Sequence, residues 1–307
     1  MSSVLVLRGA ADARAIRRTL PDVLVHELPD LNSPPPADTA VLVLRSGVRL
    51  GELELDAFPR LRHVVRTGSG IDHIDVIALR HRGITLHRNA DAGAAAVGEW
   101  ALAAALALAR RIPLGQRALI LGRHEKEACM GVSLGTLAAG VWGAGPVGLA
   151  AGRALAPHVA RMAYTAWPSN PPGLREVSQA ALMEQSQVHV IALPLRSTTA
   201  QLIGEDFLAR VAPQRPLLIC TGRLETLDVA ACLRALADGR LSGLALDPVE
   251  REHVPLLTGS TTPLNLLASP HIGAQRSDVR GALDRWAIDL LREITAHDKT
   301  LVEGGHR

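Results

Sequence analysis

The stretch ASPHIGAQ, residues 268–275, places a histidine between a proline and a glycine at the end of an apolar run. Pro270 fixes its own backbone dihedral and Gly273 permits a turn, so the side chain of His271 is directed to a defined place. An imidazole can donate and accept a proton near neutral pH, which suits acid–base catalysis. The alternative is a core histidine that only satisfies a buried hydrogen bond.

A second chemical signal is the glycine-rich turn in AAGVWGAGPVGLAAGRAL, with glycines at 143, 145 and 148. An apolar run precedes the turn and a helical stretch follows it, which is the context that dinucleotide binding requires. Glycines let the backbone approach a pyrophosphate, and the helix N-terminus supplies amide donors. Pro146 suits the first helical turn but removes one donor. A plain connection between strand and helix is the alternative.

The acidic residue that commonly binds the ribose hydroxyls, about 20 positions further on, is missing. No Asp or Glu occurs between Gly143 and Glu176. Thr165 could bond a ribose hydroxyl, and Arg175 could meet a 2′-phosphate. The choice between NAD and NADP therefore stays open.

The elements that must position these residues are short apolar runs separated by helical stretches. Eleven runs are predicted as strands: 4–8, 23–27, 40–44, 63–66, 84–87, 137–142, 161–165, 188–193, 216–221, 243–247 and 265–269. Runs that are apolar throughout favour strands buried on both faces of a parallel sheet. Their alternation with helices predicts an α/β fold of two doubly wound units, and 307 residues suit two domains.

Composition argues against several other classes of protein. The net charge of +3 is interspersed and forms no basic tract, so no nucleic-acid partner is expected. The three cysteines form no CxxC pair, so neither disulfides nor a metal site is indicated. The first residues lack a signal peptide, and the longest apolar stretch, 94–109, contains Glu99 and is short for a bilayer. We expect a cytoplasmic protein without a membrane partner.

Seven segments together carry a family resemblance: VVRTGSGIDHID, GITLHRNADAGAAAVGEWALAAALALARRIP, LGTLAAGVWGAGPVG, ALPLRSTT, LLICTGRLETLD, GRLSGLALDPVERE and SPHIGAQ. Over most of its length the chain resembles the D-2-hydroxyacid dehydrogenase family, most closely its phosphoglycerate dehydrogenase-like branch. The resemblance implies an NAD(P)-dependent oxidoreductase with two Rossmann-like domains. A flavodoxin-like substrate domain would comprise 1–95 plus 276–307, and a dinucleotide-binding domain 96–275, with the active site in the cleft between them.

The resemblance also assigns a catalytic trio. Arg223 matches the substrate-binding arginine, Glu252 the carboxylate that supports the histidine, and His271 the acid/base. A guanidinium can clamp the planar carboxylate of a 2-keto acid by paired hydrogen bonds. Hydride delivery to the carbonyl leaves alkoxide character on oxygen, which an imidazolium can protonate, and a neighbouring carboxylate orients that ring.

Three departures from the family pattern surround this trio. Leu224 stands where a glycine usually follows the arginine, so the local backbone could differ. Pro248 and His253 flank the acidic segment in place of the usual residues, which puts the register of Glu252 in doubt. Glu250 is the alternative carboxylate.

By the same resemblance the cofactor is NAD, with NADP not excluded. Its implied contacts are Gly143, Gly145, Pro146, Val147, Gly148, Thr165, Pro194, Thr221 and Asp247. Between the second and third strands of this domain the chain looks shortened, which trims the adenine side of the pocket.

Recognition of the substrate is expected in the first domain. RTGSGIDHID places Gly68, Ser69 and Gly70 in a turn whose amides could bind a carboxylate. Asp75 would cap the helix that follows, whether or not the turn binds an anion.

Two arginines end predicted strands of the same domain. In the phosphoglycerate dehydrogenase-like branch, arginines matching Arg45 and Arg66 approach the substrate phosphate. Strand ends are where ligands bind in such sheets, although surface arginines without this role are common. The expected substrate is a small doubly anionic 2-hydroxy or 2-keto acid, such as 3-phosphoglycerate or a phosphonate analogue.

A non-catalytic relative that binds dinucleotide and signals through a partner is the alternative reading. Formate dehydrogenase-like chemistry is disfavoured, because that branch has a Gln where this chain has Glu252. The resemblance further implies a homodimer through the Ala-rich helix near Glu99 and Trp100. Feedback by a serine-sensing domain beyond residue 307 is not expected.

Overall fold

The computed structural model describes residues 3–165, 175–258 and 261–304, and the chain divides into two compact units. Unit 1 comprises the described residues of 1–92 and 276–307, and unit 2 comprises those of 93–275. All strands that pair in either unit run parallel. The predicted class, two parallel-sheet α/β units, is confirmed. All eleven predicted strands are present, with ends that differ by no more than two residues.

Unit 1 is a five-stranded sheet with strand order β2-β1-β3-β4-β5. Its elements are β1 (Ser3–Leu7), α1 (Ala13–Thr19), β2 (Leu24–Leu28), β3 (Thr39–Leu44), α2 (Glu52–Leu55), β4 (His63–Arg66), α3 (Val76–His81), β5 (Thr85–Arg88) and α11 (Ser277–Gly304). Every residue of β1 and β3 is buried, as the continuous apolar runs predict. Asp75 caps α3 by accepting from the backbone N–H of Ile77 and Ala78, as expected.

Unit 2 is a six-stranded sheet with strand order β11-β10-β9-β8-β6-β7. Its strands are β6 (Ala138–Trp142), β7 (Arg161–Thr165), β8 (Val188–Ile191), β9 (Leu217–Cys220), β10 (Gly243–Leu246) and β11 (Leu266–Ala268). Its α-helices are α4 (Ala94–Ala109), α5 (Ile112–Ile120), α6 (Pro146–Leu155), α7 (Gln179–Gln185), α8 (Glu205–Val211), α9 (Val229–Ala237) and α10 (Val254–Thr258). Short 3-10 turns lie at Glu127–Cys129, Leu134–Thr136, Ala156–His158, Ala212–Gln214, Leu224–Thr226 and Arg251–His253.

The Ala-rich helix α4 is a core element of unit 2. Ala101, Ala104 and Ala105 are fully buried. A Cβ at Gly98 would lie only 2.7 Å from the backbone of Ala150, so α4 and α6 pack in close contact. Within the described residues, no helix combines the length and the apolar composition needed to cross a membrane.

Three aromatic rings fill the core beside the end of β6. Trp142 and His189 both pack against the ring of Phe207, and the indole Nε1–H of Trp142 donates to His189 Nδ1 at 3.1 Å. Burial lowers the pKa of His189 to about 3, so this imidazole is neutral at physiological pH. His189 is therefore a core histidine of the kind that had to be weighed as an alternative for His271.

Candidate active site

The carboxyl ends of three neighbouring strands in unit 2 bring the predicted trio to one edge of the sheet. β10 lies between β9 and β11, and all three run parallel. Arg223 follows the end of β9, Asp247 and Glu250 follow β10, and His271 follows β11. Because adjacent strands are about 4.8 Å apart, side chains after their ends share a small region.

His271 occupies a backbone conformation that few side chains adopt. Its φ is +56°, in the left-handed region. Its ring is 37% exposed, and Nδ1 lies 2.9 Å from Glu250 Oε1. Since an ionised carboxylate can only accept, Nδ1 carries the proton and Nε2 is the nitrogen available for proton transfer. This half-exposed, strained and carboxylate-paired ring differs in each respect from the core histidine His189.

Asp247 holds the backbone on both sides of this histidine. Its main-chain carbonyl accepts the N–H of His271 at 2.7 Å. Its buried carboxylate accepts the N–H of Ile272 at 2.9 Å and of Gly273 at 2.8 Å, and also the hydroxyl of Ser269 at 2.7 Å. A Cβ at Gly273 would lie 2.5 Å from Asp247 Oδ2, which explains the glycine. Asp247 was expected to contact the cofactor. In the structure its hydrogen bonds fix the backbone of the loop that carries His271.

The carboxylate that lies within hydrogen-bond distance of His271 belongs to Glu250, the alternative to Glu252. A short antiparallel bridge between Pro248 and Pro270 aligns the two segments. Glu250 is still extended at this point, with φ −94° and ψ 170°, and reaches the histidine. Glu252 lies inside the following 3-10 turn and is exposed. His253 supports the arrangement, because its Nδ1 accepts the N–H of Glu250 at 3.2 Å.

Arg223 is half-buried in the connection after β9. Its Nη1 donates to the carbonyl of Gly222 at 2.9 Å, and its own carbonyl accepts the hydroxyl of Thr226 at 2.6 Å. Leu224 begins a 3-10 turn with its side chain in the core, so this position does not need a glycine. Burial raises the pKa of the nearby Cys220 to about 12, which keeps it a thiol with no nucleophilic character.

The glycine-rich turn lies between β6 and α6, at the point where the sheet order reverses. β6 has β7 on one side and β8 on the other, which marks a ligand-binding crevice in such sheets. Gly143 has φ +100°, and a Cβ at Gly148 would lie 1.9 Å from the carbonyl oxygen of Gly143. A Cβ at Gly145 would meet nothing within 4 Å, so open space faces this residue.

This turn fits a dinucleotide pyrophosphate. Pro146 is the first residue of α6, and the N–H groups of Val147 and Gly148 belong to the first helical turn, where no preceding carbonyl of the helix can accept them. The glycines keep side chains away from the donors, so an anion could approach closely.

Three further predicted cofactor contacts follow strand ends of the same sheet. Thr165 ends β7 and is buried, and its carbonyl accepts the N–H of Gly143 at 3.3 Å. Pro194 is exposed beyond β8. The Thr221 hydroxyl donates to the carbonyl of Ile191 at 3.3 Å. The predicted ribose-binding segment after β7 falls largely on residues 166–174, which lie outside the described residues.

Beyond β7 the described chain adds a bridge to the sheet rather than a strand. Tyr164 bridges Glu176, with its N–H donating to the carbonyl of Arg175 at 3.0 Å and its carbonyl accepting from Val177 at 2.9 Å. Arg175 is exposed next to this edge.

In unit 1, Arg45 lies at the corresponding reversal of strand order. β1 has β2 on one side and β3 on the other, and Arg45 directly follows β3. It is exposed, and its Nε donates to the carbonyl of Arg8, the residue after β1, at 2.9 Å. The guanidinium thus lies at the strand ends where a ligand of this sheet is expected.

Arg66, the second predicted phosphate ligand, is directed into the protein instead. It is only 5% exposed. Its Nη1 donates to the carbonyl of Thr67 at 2.6 Å, its Nε to that of Gly70 at 2.9 Å, and its Nη2 to the hydroxyl of Ser46 at 3.1 Å. The backbone of Gly68 lies against this guanidinium and has a φ of +140°. A Cβ at Gly68 would lie 2.5 Å from Arg66 Nη1. This geometry favours Arg66 as a support of the turn that contains Ser69 and Gly70.

Arg88 contacts this turn from the neighbouring strand and is not among the residues predicted from the sequence. It ends β5, is exposed, and donates from Nη1 to the carbonyl of Ser69 at 3.1 Å. The signal was available, since Arg88 ends a predicted strand as Arg45 and Arg66 do.

Solved structures with the same architecture define the class of fold. The D-lactate dehydrogenase of Aquifex aeolicus, complexed with NAD and lactic acid, aligns with a TM-score of 0.81 at 22% identity, covering 98% of each chain. A glyoxylate reductase from Paecilomyes thermophila aligns with a TM-score of 0.82 at 23% identity, covering 95% of this chain and 94% of that one.

Residues 102–273, more than half of the chain, match the family model "D-isomer specific 2-hydroxyacid dehydrogenase, NAD binding domain". The chain therefore belongs to the D-isomer specific 2-hydroxyacid dehydrogenase family. It is 28% identical over 259 residues to a D-3-phosphoglycerate dehydrogenase of Synechocystis sp., covering 82% of this chain but 46% of that protein. It is 29% identical over 262 residues to a hydroxypyruvate reductase of Thermotoga maritima, covering 83% of each. The chain thus spans about half the length of the first relative and most of the second.

Proposed function

We propose that this protein is an NAD(P)-dependent D-2-hydroxyacid dehydrogenase, which interconverts a small D-2-hydroxy acid and its 2-keto acid. The observation that carries the proposal is the strained, half-exposed His271 paired with Glu250 at 2.9 Å. Such strain persists only where surrounding structure imposes it, and it concentrates at active sites. The ring lies at the same edge of the unit 2 sheet as Arg223 and the glycine turn.

His271 serves as the acid/base. Glu250 accepts from Nδ1, which fixes the tautomer and the ring orientation and leaves Nε2 to exchange a proton with the substrate oxygen. During reduction Nε2 donates its proton to the oxygen of the former carbonyl; during oxidation it takes that proton back. Arg223 supplies the guanidinium that orients the planar 2-keto acid.

The nicotinamide cofactor, when bound, supplies or accepts the hydride. Gly143, Gly145 and Gly148, with the first turn of α6, hold its pyrophosphate. We propose NAD as the cofactor. NADP is the second candidate, because no acidic residue occurs between Gly143 and Glu176 and Arg175 could meet a 2′-phosphate.

The substrate is proposed to carry a second anion, a phosphate or phosphonate as in 3-phosphoglycerate. Arg45 is the residue proposed to contact it, since this guanidinium is exposed at the strand-order reversal of unit 1. The amides of the turn around Ser69 and Gly70 are proposed to take the carboxylate. Arg66 supports that turn and leaves the phosphate to Arg45.

A homodimer is proposed through the surface of unit 2 around α4 and α5. Large apolar side chains are exposed along this stretch, at Leu106, Ile112, Leu119, Ile120, Met130 and Val132. Exposed apolar side chains along one stretch of chain are suited to burial against a second copy.

The test is oxidation of NADH and of NADPH by the purified protein with 3-phosphohydroxypyruvate, hydroxypyruvate or glyoxylate. We expect turnover that falls about 10³-fold in His271→Ala, the range for loss of a general acid. His124→Ala, which removes an exposed histidine of unit 2, should keep wild-type turnover.

Arg45→Met separates the substrate classes, since it should raise KM for the phosphorylated acid and leave KM for hydroxypyruvate unchanged. Absence of turnover with either cofactor, in a folded wild-type protein that binds dinucleotide, would contradict the dehydrogenase proposal and favour a regulatory relative. Retained turnover in His271→Ala would contradict the role of this histidine.

A further inference from the structure

The backbone of residues 67–70, hereafter the 67–70 loop, is held by two guanidiniums through its carbonyl groups. Arg66 donates to the carbonyls of Thr67 and Gly70, and Arg88 donates to the carbonyl of Ser69. Arg66 ends β4 and Arg88 ends the neighbouring strand β5, with which it is in register. Each cation therefore lies on the carbonyl side of the peptide units that it holds.

The N–H groups of these peptide units consequently point the other way. A trans peptide places its C=O and N–H on opposite sides, so the carbonyl of Ser69 held by Arg88 directs the N–H of Gly70 away from Arg88. The carbonyl of Gly70 held by Arg66 directs the N–H of Ile71 away from Arg66 in the same manner. Neither N–H has an acceptor among the residues that the structure describes.

Charge strengthens these two donors. A carbonyl that accepts from a guanidinium is polarised, and hydrogen bonds in a chain reinforce one another. An anion bound by the N–H groups of Gly70 and Ile71 would therefore interact with two polarised peptide groups, each backed by a cation, without touching either arginine. Successive outward N–H groups form the kind of concave site that binds carboxylates.

We propose that Arg66 and Arg88 are positioning residues for the substrate carboxylate: they hold the carbonyls of the 67–70 loop so that the N–H groups of Gly70 and Ile71 bind the carboxylate of the 2-keto acid. This inference rests on the proposed function and deepens it. It gives Arg88 a role, and it replaces direct contact between Arg66 and the substrate by an action through the backbone.

Arg88 is the better residue to test, because it is exposed whereas Arg66 is buried. Two substitutions separate a hydrogen bond from a charge. Arg88→Gln keeps an N–H donor for the Ser69 carbonyl without the charge, and Arg88→Met keeps the length without the donor. Arg60→Met is the matched control, since Arg60 is an exposed arginine of unit 1 before β4, at the opposite edge of the sheet.

The measurements are KM and kcat for hydroxypyruvate with saturating NADH, and the Kd of oxamate, an unreactive 2-keto acid analogue, for the enzyme–NADH complex by calorimetry. For Arg88→Met we expect KM and the oxamate Kd to rise about tenfold, the loss of one charge-assisted hydrogen bond. The value of kcat should stay within about twofold, because the reacting groups are untouched. Arg88→Gln should stay within about threefold of wild type, and Arg60→Met should match wild type in every measurement.

The other possible results each contradict one part of the proposal. Equal weakening in Arg88→Met and Arg88→Gln, with strong dependence on salt, would show direct ion pairing with the substrate and overturn positioning through the loop. Unchanged affinity in Arg88→Met would remove Arg88 from recognition. Oxamate binding by wild type without turnover would overturn the dehydrogenase alone, and the Arg88 comparison would then rest on the oxamate Kd. Absence of oxamate binding to wild type would overturn the loop proposal itself.

Discussion

The loop after β4 in unit 1 and the loop after β11 in unit 2 are held by side chains of opposite charge. In unit 1 two guanidiniums donate to carbonyl oxygens of the 67–70 loop, so the N–H groups of the same peptide units point away from the arginines. In unit 2 the carboxylate of Asp247 grips N–H groups and holds His271 with a positive φ. The charge of the supporting side chain thus decides what a loop presents: a cationic support exposes backbone donors for an anion, and an anionic support fixes a side chain for proton transfer.

The largest effect is expected when the anionic support is broken. Asp247→Asn keeps the size but turns an amide NH2 toward N–H groups that need an acceptor, which costs about 1–3 kcal/mol per unsatisfied group. His271 would lose its fixed position, and misplacement of a reacting group can cost about 10²-fold in kcat. Steady-state kinetics and chemical unfolding measure both effects. Wild-type kcat in this variant would contradict the role given to Asp247.

The next prediction separates the two candidate carboxylates beside the acid/base. Glu250→Gln removes the charge paired with His271 Nδ1. The value of kcat should fall about tenfold, which is less than the roughly 10²–10⁴-fold of a lost acid or base, because the ring stays in place but loses the carboxylate that favours its protonated form. Glu252→Gln changes an exposed residue of the adjoining 3-10 turn and should leave kcat within about twofold. The reverse order of effects would restore Glu252 as the supporting carboxylate.

The smallest effects are expected when alanine replaces the glycine next to each supporting side chain, Asp247 or Arg66. Gly273→Ala sets a Cβ 2.5 Å from Asp247 Oδ2, and Gly68→Ala sets one 2.5 Å from Arg66 Nη1. Gly273→Ala should lower kcat and Gly68→Ala should raise KM, each by about three- to tenfold, because the supporting side chain must move by about half an ångström or more. Gly68→Ala also strains the backbone, since its φ is +140°. Measurement of kcat and KM for both variants shows which constant each substitution changes. Effects on the same constant in both would remove the distinction between the loops.

The fold could be read from the sequence because its signal is repeated. Eleven apolar runs alternate with helical stretches, and each run is buried for the same physical reason, so errors at single positions do not change the class. The strand ends that carry Arg223, His271 and the glycine turn were found in the same way.

The details of the site depend on contacts that a linear pattern does not contain. Glu250 and Glu252 are both acidic and two positions apart, and only the bridge between Pro248 and Pro270 selects one of them. Arg45 and Arg66 carry the same signal at strand ends, yet one is exposed and the other is turned into its own loop. Whether a guanidinium is exposed or buried in its own loop is decided by the turn beside it, which the three-dimensional structure shows.

The composite make-up of unit 1 has a consequence for how the chain folds during synthesis. Its sheet lies within residues 3–88, but Ala287, Leu291 and Ile294 of α11 belong to its buried core and are translated after unit 2. Unit 2 is continuous, so it is complete on the ribosome first, although its sequence comes second. The nascent strands β1–β5 therefore keep apolar surface uncovered until unit 2 and α11 have been synthesised. The apolar core of unit 1 is therefore left uncovered during synthesis until α11 has been made.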